Sequence, residues 1–181
     1  VNFNDLFHLS DVEVTNLSRE VNILSMLSSP VVLKFVGYSP NDFDSEHRPT
    51  IVTEYIATGS LGDVIIAERN GLSSHEWNDT KRLINIYGVA SGMKYLHSKN
   101  VLHRDLKPDN VFIDEFLFPR IGDFGLAKVI QDDGKKGGPV QTSGNLGTLC
   151  YMSPEIFDGV YTKPGDVYAF AILVYEMVTL E

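Results

Sequence analysis

Little in this sequence ties it to an oxidising compartment, a membrane or a nucleic acid. Cys150 is its only cysteine. That excludes an intrachain disulfide and a cysteine-based metal site, and it fits a reducing compartment. No apolar run approaches the roughly 18 residues of a membrane span; the longest covers residues 167–175. The start lacks a basic stretch followed by an apolar core and a small-residue cleavage site, so no secretory signal is read. Basic residues are the minority, 15 Lys+Arg against 24 Asp+Glu, for a formal net charge of −9. A binder of phosphate backbones needs a basic patch, and a nucleic-acid partner is excluded on that ground. An initiator methionine is also missing, since the chain begins at Val1. The expectation is that the numbering starts inside a longer protein.

What is present is an ordinary globular mixture: 181 residues, 43% hydrophobic and 22% charged. Disorder is excluded as the overall state, and the length suits one domain or a piece of one. Ser10 and Glu13 have capping-box spacing ahead of a helix. Along it Leu17, Val21, Leu24 and Leu27 share one face. Glu20 falls inside that apolar arc, and Pro30 closes the segment. Strands are predicted over residues 31–36 and 51–55, with a polar loop between them. A short helix is predicted over residues 60–70. Ser73 and Glu76 offer a second capping box before a stripe of Leu83, Ile86, Tyr87, Ala90, Met93 and Leu96. Short β-like runs follow at residues 101–102, 111–113 and 120–121. Residues 132–147, rich in Gly, Asp, Lys and Ser, read as a mobile loop. The closing segment, residues 166–178, is apolar on nearly every face, which predicts a helix buried on all sides.

Polar motifs are set into this frame in a fixed order. Residues 103–110 read H-R-D-L-K-P-D-N, residues 123–125 read D-F-G, and residues 153–155 read S-P-E. Taken singly, Asp123 also fits an ordinary turn aspartate, Asn110 a strand-edge asparagine, and Glu20 a helix-surface glutamate. Together they fit the H-R-D-x-x-x-x-N catalytic loop, with D-F-G 18 residues after Asp105. In this the chain resembles the eukaryotic protein kinase superfamily. The resemblance covers nearly all of it, from the family's helix C to its helix F. The sequence around Cys150 and the last helix looks closest to the tyrosine-kinase-like branch.

The resemblance implies an α+β, two-lobed protein kinase-like fold, truncated at both ends. Residues 1–56 would be the small-lobe part and hinge, and residues 57–181 the large-lobe part. It implies ATP and Mg2+ as cofactors and a protein substrate with a Ser/Thr acceptor. Phosphoryl transfer asks the protein mainly for positioning and charge neutralisation. Asp105 matches the carboxylate that orients the acceptor hydroxyl and takes its proton. Asn110 and Asp123 match the metal ligands, both hard oxygen donors. Lys107 looks like the cation facing the γ-phosphate. Lys107-Pro108-Asp109 and Thr148 resemble the serine/threonine rather than the tyrosine pattern. Glu20 aligns with the glutamate that pairs with a small-lobe lysine. Thr53 aligns with the gatekeeper, Glu54 to Ile56 with the hinge, Asp63 with the residue meeting the ribose, and Phe112 with the floor of the adenine pocket. His103 and Phe124 would be packing residues of the regulatory spine, with Leu24 and Phe35 above them. Arg104 would bind an activation-loop phosphate on Thr142 or Ser143. The absence of a secretory signal, the lone cysteine and the family's habit predict a cytoplasmic location.

The chain has no G-x-G-x-x-G loop, and no lysine precedes Lys34. Losing one preorganised charge donor costs about 10²–10³ in rate. The 181 residues alone are therefore expected to be nearly inactive. The rival expectation is a pseudokinase-like binding or scaffold module, which the missing loop and lysine favour and the intact motifs oppose.

Overall fold

The computed structural model describes residues 11–43, 48–130, 140–141 and 148–181. Helix α1 (Asp11–Met26) buries Ile23 and Leu24. Leu17, Glu20, Val21 and Leu27 are half-buried. The cap expected at Ser10 lies outside the described residues. Beyond α1 the Ser28 N–H donates to the Tyr95 hydroxyl at 2.8 Å, a partner supplied from far along the chain.

The first strand differs from expectation. β1 covers Phe35–Ser39 and pairs antiparallel with β2 (Thr50–Thr53). Residues 31–33 instead run beside Ile121: Ile121 N–H donates to Val31 O at 2.9 Å and Leu33 N–H to Ile121 O at 2.8 Å. A β-rich run this short takes whichever backbone partner packs best, and here Val32 is drawn into the core at 3% exposure.

Helix α2 (Leu61–Arg69) starts on a capping box. Ser60 Oγ accepts from Asp63 N–H at 3.1 Å, and Asp63 Oδ2 accepts from Ser60 N–H at 2.8 Å. Gly59 has φ +93°, and a Cβ there would lie 2.7 Å from Asp63 Oδ2, so the cap requires glycine before it.

Helix α3 (Asp79–Ser98) is capped by Asn78, whose Oδ1 accepts from Lys81 N–H at 3.1 Å. The box expected at Ser73 and Glu76 is not used; the Glu76 N–H donates to Ser74 Oγ. Nor is the apolar stripe the buried face. Leu83 and Tyr87 are exposed, while Asn85, Gly88, Val89, Gly92, Met93 and Leu96 are buried. The reason is the hairpin of β4 (Val111–Ile113) and β5 (Pro119–Ile121). It lies so close that a Cβ on Gly88 would meet Pro119 Cγ at 2.5 Å and one on Gly92 would meet Ile121 Cδ1 at 2.6 Å. The Nδ2 of buried Asn85 donates to Lys81 O and Leu117 O, both at 2.9 Å, while its Oδ1 has no partner among the described residues.

Four further short strands complete the described sheets: β3 (Val101–Leu102) pairs with β6 (Lys128–Val129), and β7 (Val140–Gln141) with β8 (Val160–Tyr161). β7 falls within the segment read as a loop. Helix α4 (Lys163–Thr179) buries Gly165, Asp166, Ala169, Leu173 and Met177. Its other face stays open, with Val167, Tyr175 and Val178 more than half exposed. Such a sequence asks for burial on all sides, with little left in the 181 residues expected to supply it, and among the described residues one face is uncovered. One apolar cluster links α1, α2, α3, β4, β5 and α4, and a smaller one joins Leu102, Ile130, Met152, Ile156 and Tyr161.

Candidate active site

The site is built on a buried anion. Asp166, in the first turn of α4, has no exposed surface. Its Oδ2 accepts from His103 N–H at 3.1 Å and bonds His97 Nε2 at 2.8 Å. Its Oδ1 accepts from Arg104 N–H at 3.0 Å and from the Tyr161 hydroxyl at 2.9 Å. Burial alone would raise this carboxyl's pKa. The His97 contact and the N–H groups of Arg104 and His103 outweigh it and hold the group below its ordinary value. Burial, and then the neighbouring Asp166 charge, push the Tyr161 phenol well above its usual range. Arg104 sits at φ 70°, an uncommon conformation for a non-glycine residue. The Asp166 carboxylate fixes that turn.

From there the chain presents its polar motif. His103 is fully buried. Its Nδ1 accepts from Asp105 N–H at 3.3 Å, so its Nε2–H donates to Gly122 O at 3.0 Å. Its ring lies 5.2 Å from that of Phe124. Phe124 and Leu24 belong to one core cluster, with Phe35 packed against it.

Asp105 is held on three sides. Oδ1 accepts from Thr148 N–H at 2.8 Å and from Thr148 Oγ1 at 2.9 Å. Oδ2 lies 3.2 Å from Lys107 Nζ and accepts from Asn110 Nδ2 at 3.0 Å. Lys107 Nζ also donates to Thr148 Oγ1 at 2.8 Å. Asn110 Nδ2 further donates to Asp105 O at 2.8 Å. Both amide hydrogens are thus used, and the Asn110 amide oxygen is left as a free acceptor among the described residues.

Asp123 adjoins this group through the backbone. Gly122 N–H donates to Asn110 O at 2.9 Å. Asp123 is exposed, at φ 55°, and among the described residues accepts only from Gly125 N–H, at 3.3 Å. Glu20 reaches the same place: a Cβ on Gly125 would lie 3.4 Å from Asp123 Oδ1 and 3.7 Å from Glu20 Oε2. Burial, then the Asp123 charge, raises the Glu20 carboxyl above its ordinary pKa. Among the described residues Glu20 has no ion pair.

The other predicted residues lie around this centre. Phe112 closes over Gly122; a Cβ on that glycine would meet Phe112 Cε2 at 2.7 Å and Leu33 Cδ2 at 3.2 Å. Thr53 pairs with Phe35 at the end of β2. Glu54 Oε1 accepts from Lys34 N–H at 2.8 Å, and Glu54 N–H donates to Lys34 O at 2.9 Å. Ile56 is half-buried. One oxygen of Asp63 is committed to the α2 cap, and the N–H and then the hydroxyl of Ser60 hold its carboxyl below the usual range. The Arg104 guanidinium lies 5.6 Å over the Tyr161 ring and donates to Leu126 O at 3.4 Å, while its buried Nε has no partner among the described residues. Burial lowers its pKa, and Arg19 adds to that. Thr142 and Ser143 lie outside the described residues.

A divalent cation bound by phosphates prefers oxygen donors and keeps several waters. The free amide oxygen of Asn110 and the exposed carboxylate of Asp123, on residues tied by the Gly122–Asn110 hydrogen bond, fit such an ion. Residues 6–181 match the family described as the protein kinase domain. The chain belongs to the protein kinase family. It is 34% identical over 180 residues to the probable serine/threonine-protein kinase drkD of Dictyostelium discoideum, covering 98% of this chain and 13% of that protein. It is 35% identical over 172 residues to receptor-interacting serine/threonine-protein kinase 3 of Rattus norvegicus, with 92% and 34% covered. For the probable serine/threonine-protein kinase PBL7 of Arabidopsis thaliana the figures are 35% over 169 residues, with 88% and 41% covered. The chain thus spans well under two thirds of the length of each of these relatives. Its α+β arrangement of four helices and small antiparallel sheets fits the kinase fold.

Sequence reasoning missed the foundation of this kinase domain. In the sequence Asp166 reads only as the start of an apolar helix, and nothing beside His97 or Tyr161 marks them. The signal was there: a carboxylate heading an otherwise apolar segment must find partners when that segment is buried. The charge of Arg19 bears on Arg104, and those of Arg104 and Arg19 on Lys128. No helix among the described residues is long and apolar enough to cross a membrane.

Proposed function

We propose that the protein carrying this chain is an ATP- and Mg2+-dependent protein serine/threonine kinase. The observation that carries the reading is the cluster around Asp105. Its carboxylate is gripped by Thr148, Lys107 and Asn110 within 3.2 Å, one backbone hydrogen bond away from Asp123. When bound, magnesium-ATP supplies the γ-phosphoryl group and the cation that neutralises it.

The chain's own residues do the rest. Asp105 orients the acceptor hydroxyl and takes its proton. Lys107 offsets charge on the transferred group. Asn110, through its free oxygen, and Asp123 hold the metal. Thr148, bridging Asp105 and Lys107, positions both for a Ser or Thr acceptor. Glu54 to Ile56 with Thr53 and Phe112 would line the base, and Asp63, through its uncommitted oxygen, the ribose. Glu20 would complete the site with a lysine. Arg104 would receive a phosphate on Thr142 or Ser143, a cytoplasmic event. Residues 1–56 and 57–181 act as the small-lobe and large-lobe parts, and the sequence around Cys150 favours the tyrosine-kinase-like branch.

The test is Asp105→Asn in the full-length protein, read by 32P transfer from ATP to a Ser/Thr-containing protein. A loss of about 10²–10⁴-fold is expected, with phosphoserine or phosphothreonine as the wild-type product. Undiminished transfer, or phosphotyrosine alone, would overturn the reading.

The second reading, a pseudokinase-like scaffold, draws support from Glu20, which faces Asp123 with no cation of its own among the described residues. Nucleotide binding by the wild-type full-length protein without any transfer would favour it. For the 181 residues alone, little or no transfer is expected on either reading.

A further inference from the structure

A second recess lies away from the Asp105 cluster, with a volume of about 290 Å3. It opens between residues 54–58 and the β4–β5 turn. Its walls include Glu54, Tyr55, Asp114, Glu115, Phe116 and Arg120; it shares Glu54 to Ile56 with the segment proposed above to line the base, and has none of Asp105, Lys107, Asn110, Phe112 or Asp123. We infer that this recess is a docking site for an extended segment of a partner protein that carries a Lys or Arg next to an aliphatic residue.

The turn that forms one wall is braced from within. Asp114 Oδ1 accepts from Phe116 N–H at 3.0 Å and Phe118 N–H at 2.9 Å, and Oδ2 accepts from Arg120 at 3.1 Å. Helix α3 ties the same turn from outside, with Lys81 Nζ on Phe116 O at 2.8 Å and Asn85 Nδ2 on Leu117 O at 2.9 Å. A wall held this firmly loses little conformational entropy when something binds to it.

What the bracing leaves outward is specific. Phe116 is 64% exposed and Tyr55 87% exposed. The Glu115 carboxylate has no partner among the described residues, and one oxygen of Glu54 is unused. Asp114 and Arg120 satisfy each other, with Arg120 also on Pro30 O, which leaves the Glu115 carboxylate and the second Glu54 oxygen without a cation among the described residues. The unmet demand is for a cation. Aromatic rings at the mouth favour a cation over their faces and aliphatic carbon beside them. The volume is at or below the lower end for small-molecule pockets, roughly 300 Å3, and suits one long side chain reaching in from a chain lying outside. The net charge of −9 over the whole sequence steers a basic segment toward the protein.

The probe is a fluorescein-labelled peptide Ala-Ala-Lys-Arg-Leu-Leu-Ala, titrated by anisotropy with the full-length protein. Saturable binding that weakens with added salt is expected, and none with the Glu-Glu counterpart. Glu115→Lys and Phe116→Ala should each weaken it about tenfold or more, as loss of a central contact does. Both side chains are exposed, so melting temperature and phosphotransfer should stay at wild-type values. That separates this inference from the kinase reading, which fails or stands on Asp105. Absence of saturable binding, equal binding of the acidic peptide, or unchanged affinity in both variants would overturn it. So would a dimer in sedimentation that Phe116→Ala dissolves and the peptide leaves intact, since the occupant would then be a second copy.

Discussion

The Asp166 carboxylate accepts the backbone N–H of Arg104 at 3.0 Å, from 62 residues away along the chain. A residue in the last helix thereby sets the backbone of the loop that carries Asp105. Arg104 can hold its φ of 70° because that hydrogen bond and its neighbour at His103 fix the turn.

Replacing Asp166 by Asn should therefore cost stability at neutral pH, about 1–3 kcal/mol for each buried donor left unmatched. The pH dependence has a definite sign. The folded carboxyl is held below its ordinary pKa, so its contribution is complete above the unfolded value and lost as pH falls through the folded one. Urea midpoints of wild type and variant should converge on going from about pH 5 to about pH 2. A gap that widened on acidification would contradict the assignment.

Thr148 makes a second, sharper test. Its hydroxyl donates to Asp105 and accepts from Lys107, while its N–H also reaches Asp105. Thr148→Val keeps the N–H and removes the hydroxyl. In the full-length protein kcat should fall on the order of 10²-fold, the scale of a misplaced reacting group, with ATP affinity unchanged. Thr148→Ser should restore most of it.

The α2 cap can be tested apart from chemistry. Ser60→Ala removes the oxygen that accepts from Asp63 N–H and should cost about 1 kcal/mol. Since Ser60 and Asp63 cap each other, Ser60→Ala and Asp63→Ala should combine for less than their sum in thermal melts. Full additivity would mean the two act separately.

Gly88→Ala sets two effects against each other. Alanine gains up to about 1 kcal/mol of helix propensity over glycine. The new Cβ would sit 2.5 Å from Cγ of Pro119, a rigid ring that is itself buried. Overpacking of that kind costs about 1–3 kcal/mol, so net destabilisation is expected in chemical denaturation. Pro119→Ala in the same chain should recover much of it.

The motif residues were legible because their chemistry demands fixed types at fixed spacing. Asp105, Lys107, Asn110 and Thr148 do converge, and Asp123 is next to them. The helix at residues 60–70 was legible because its cap is local. Less could be read where long-range packing decides. The stripe containing Leu83 and Tyr87 follows helical period, yet α3 turns Asn85 and Gly88 inward because the β4–β5 hairpin needs backbone contact there. Residues 31–33 look like a strand but pair with Ile121 rather than with β2. That Asp166 needs buried partners can be read from its apolar segment, but which partners cannot, because nothing near it in sequence announces His97 or Arg104.

Asn110 shows how narrow one position's choice can be. Its two amide hydrogens serve the main chain and the side chain of Asp105, while its oxygen is left over. Aspartate has the same outline but would set a second negative group about 3 Å from the first; leucine has the bulk without the donors. Chemical ageing of that single amide to an acid, a change of one mass unit, would switch an ally of the Asp105 carboxylate into its opponent.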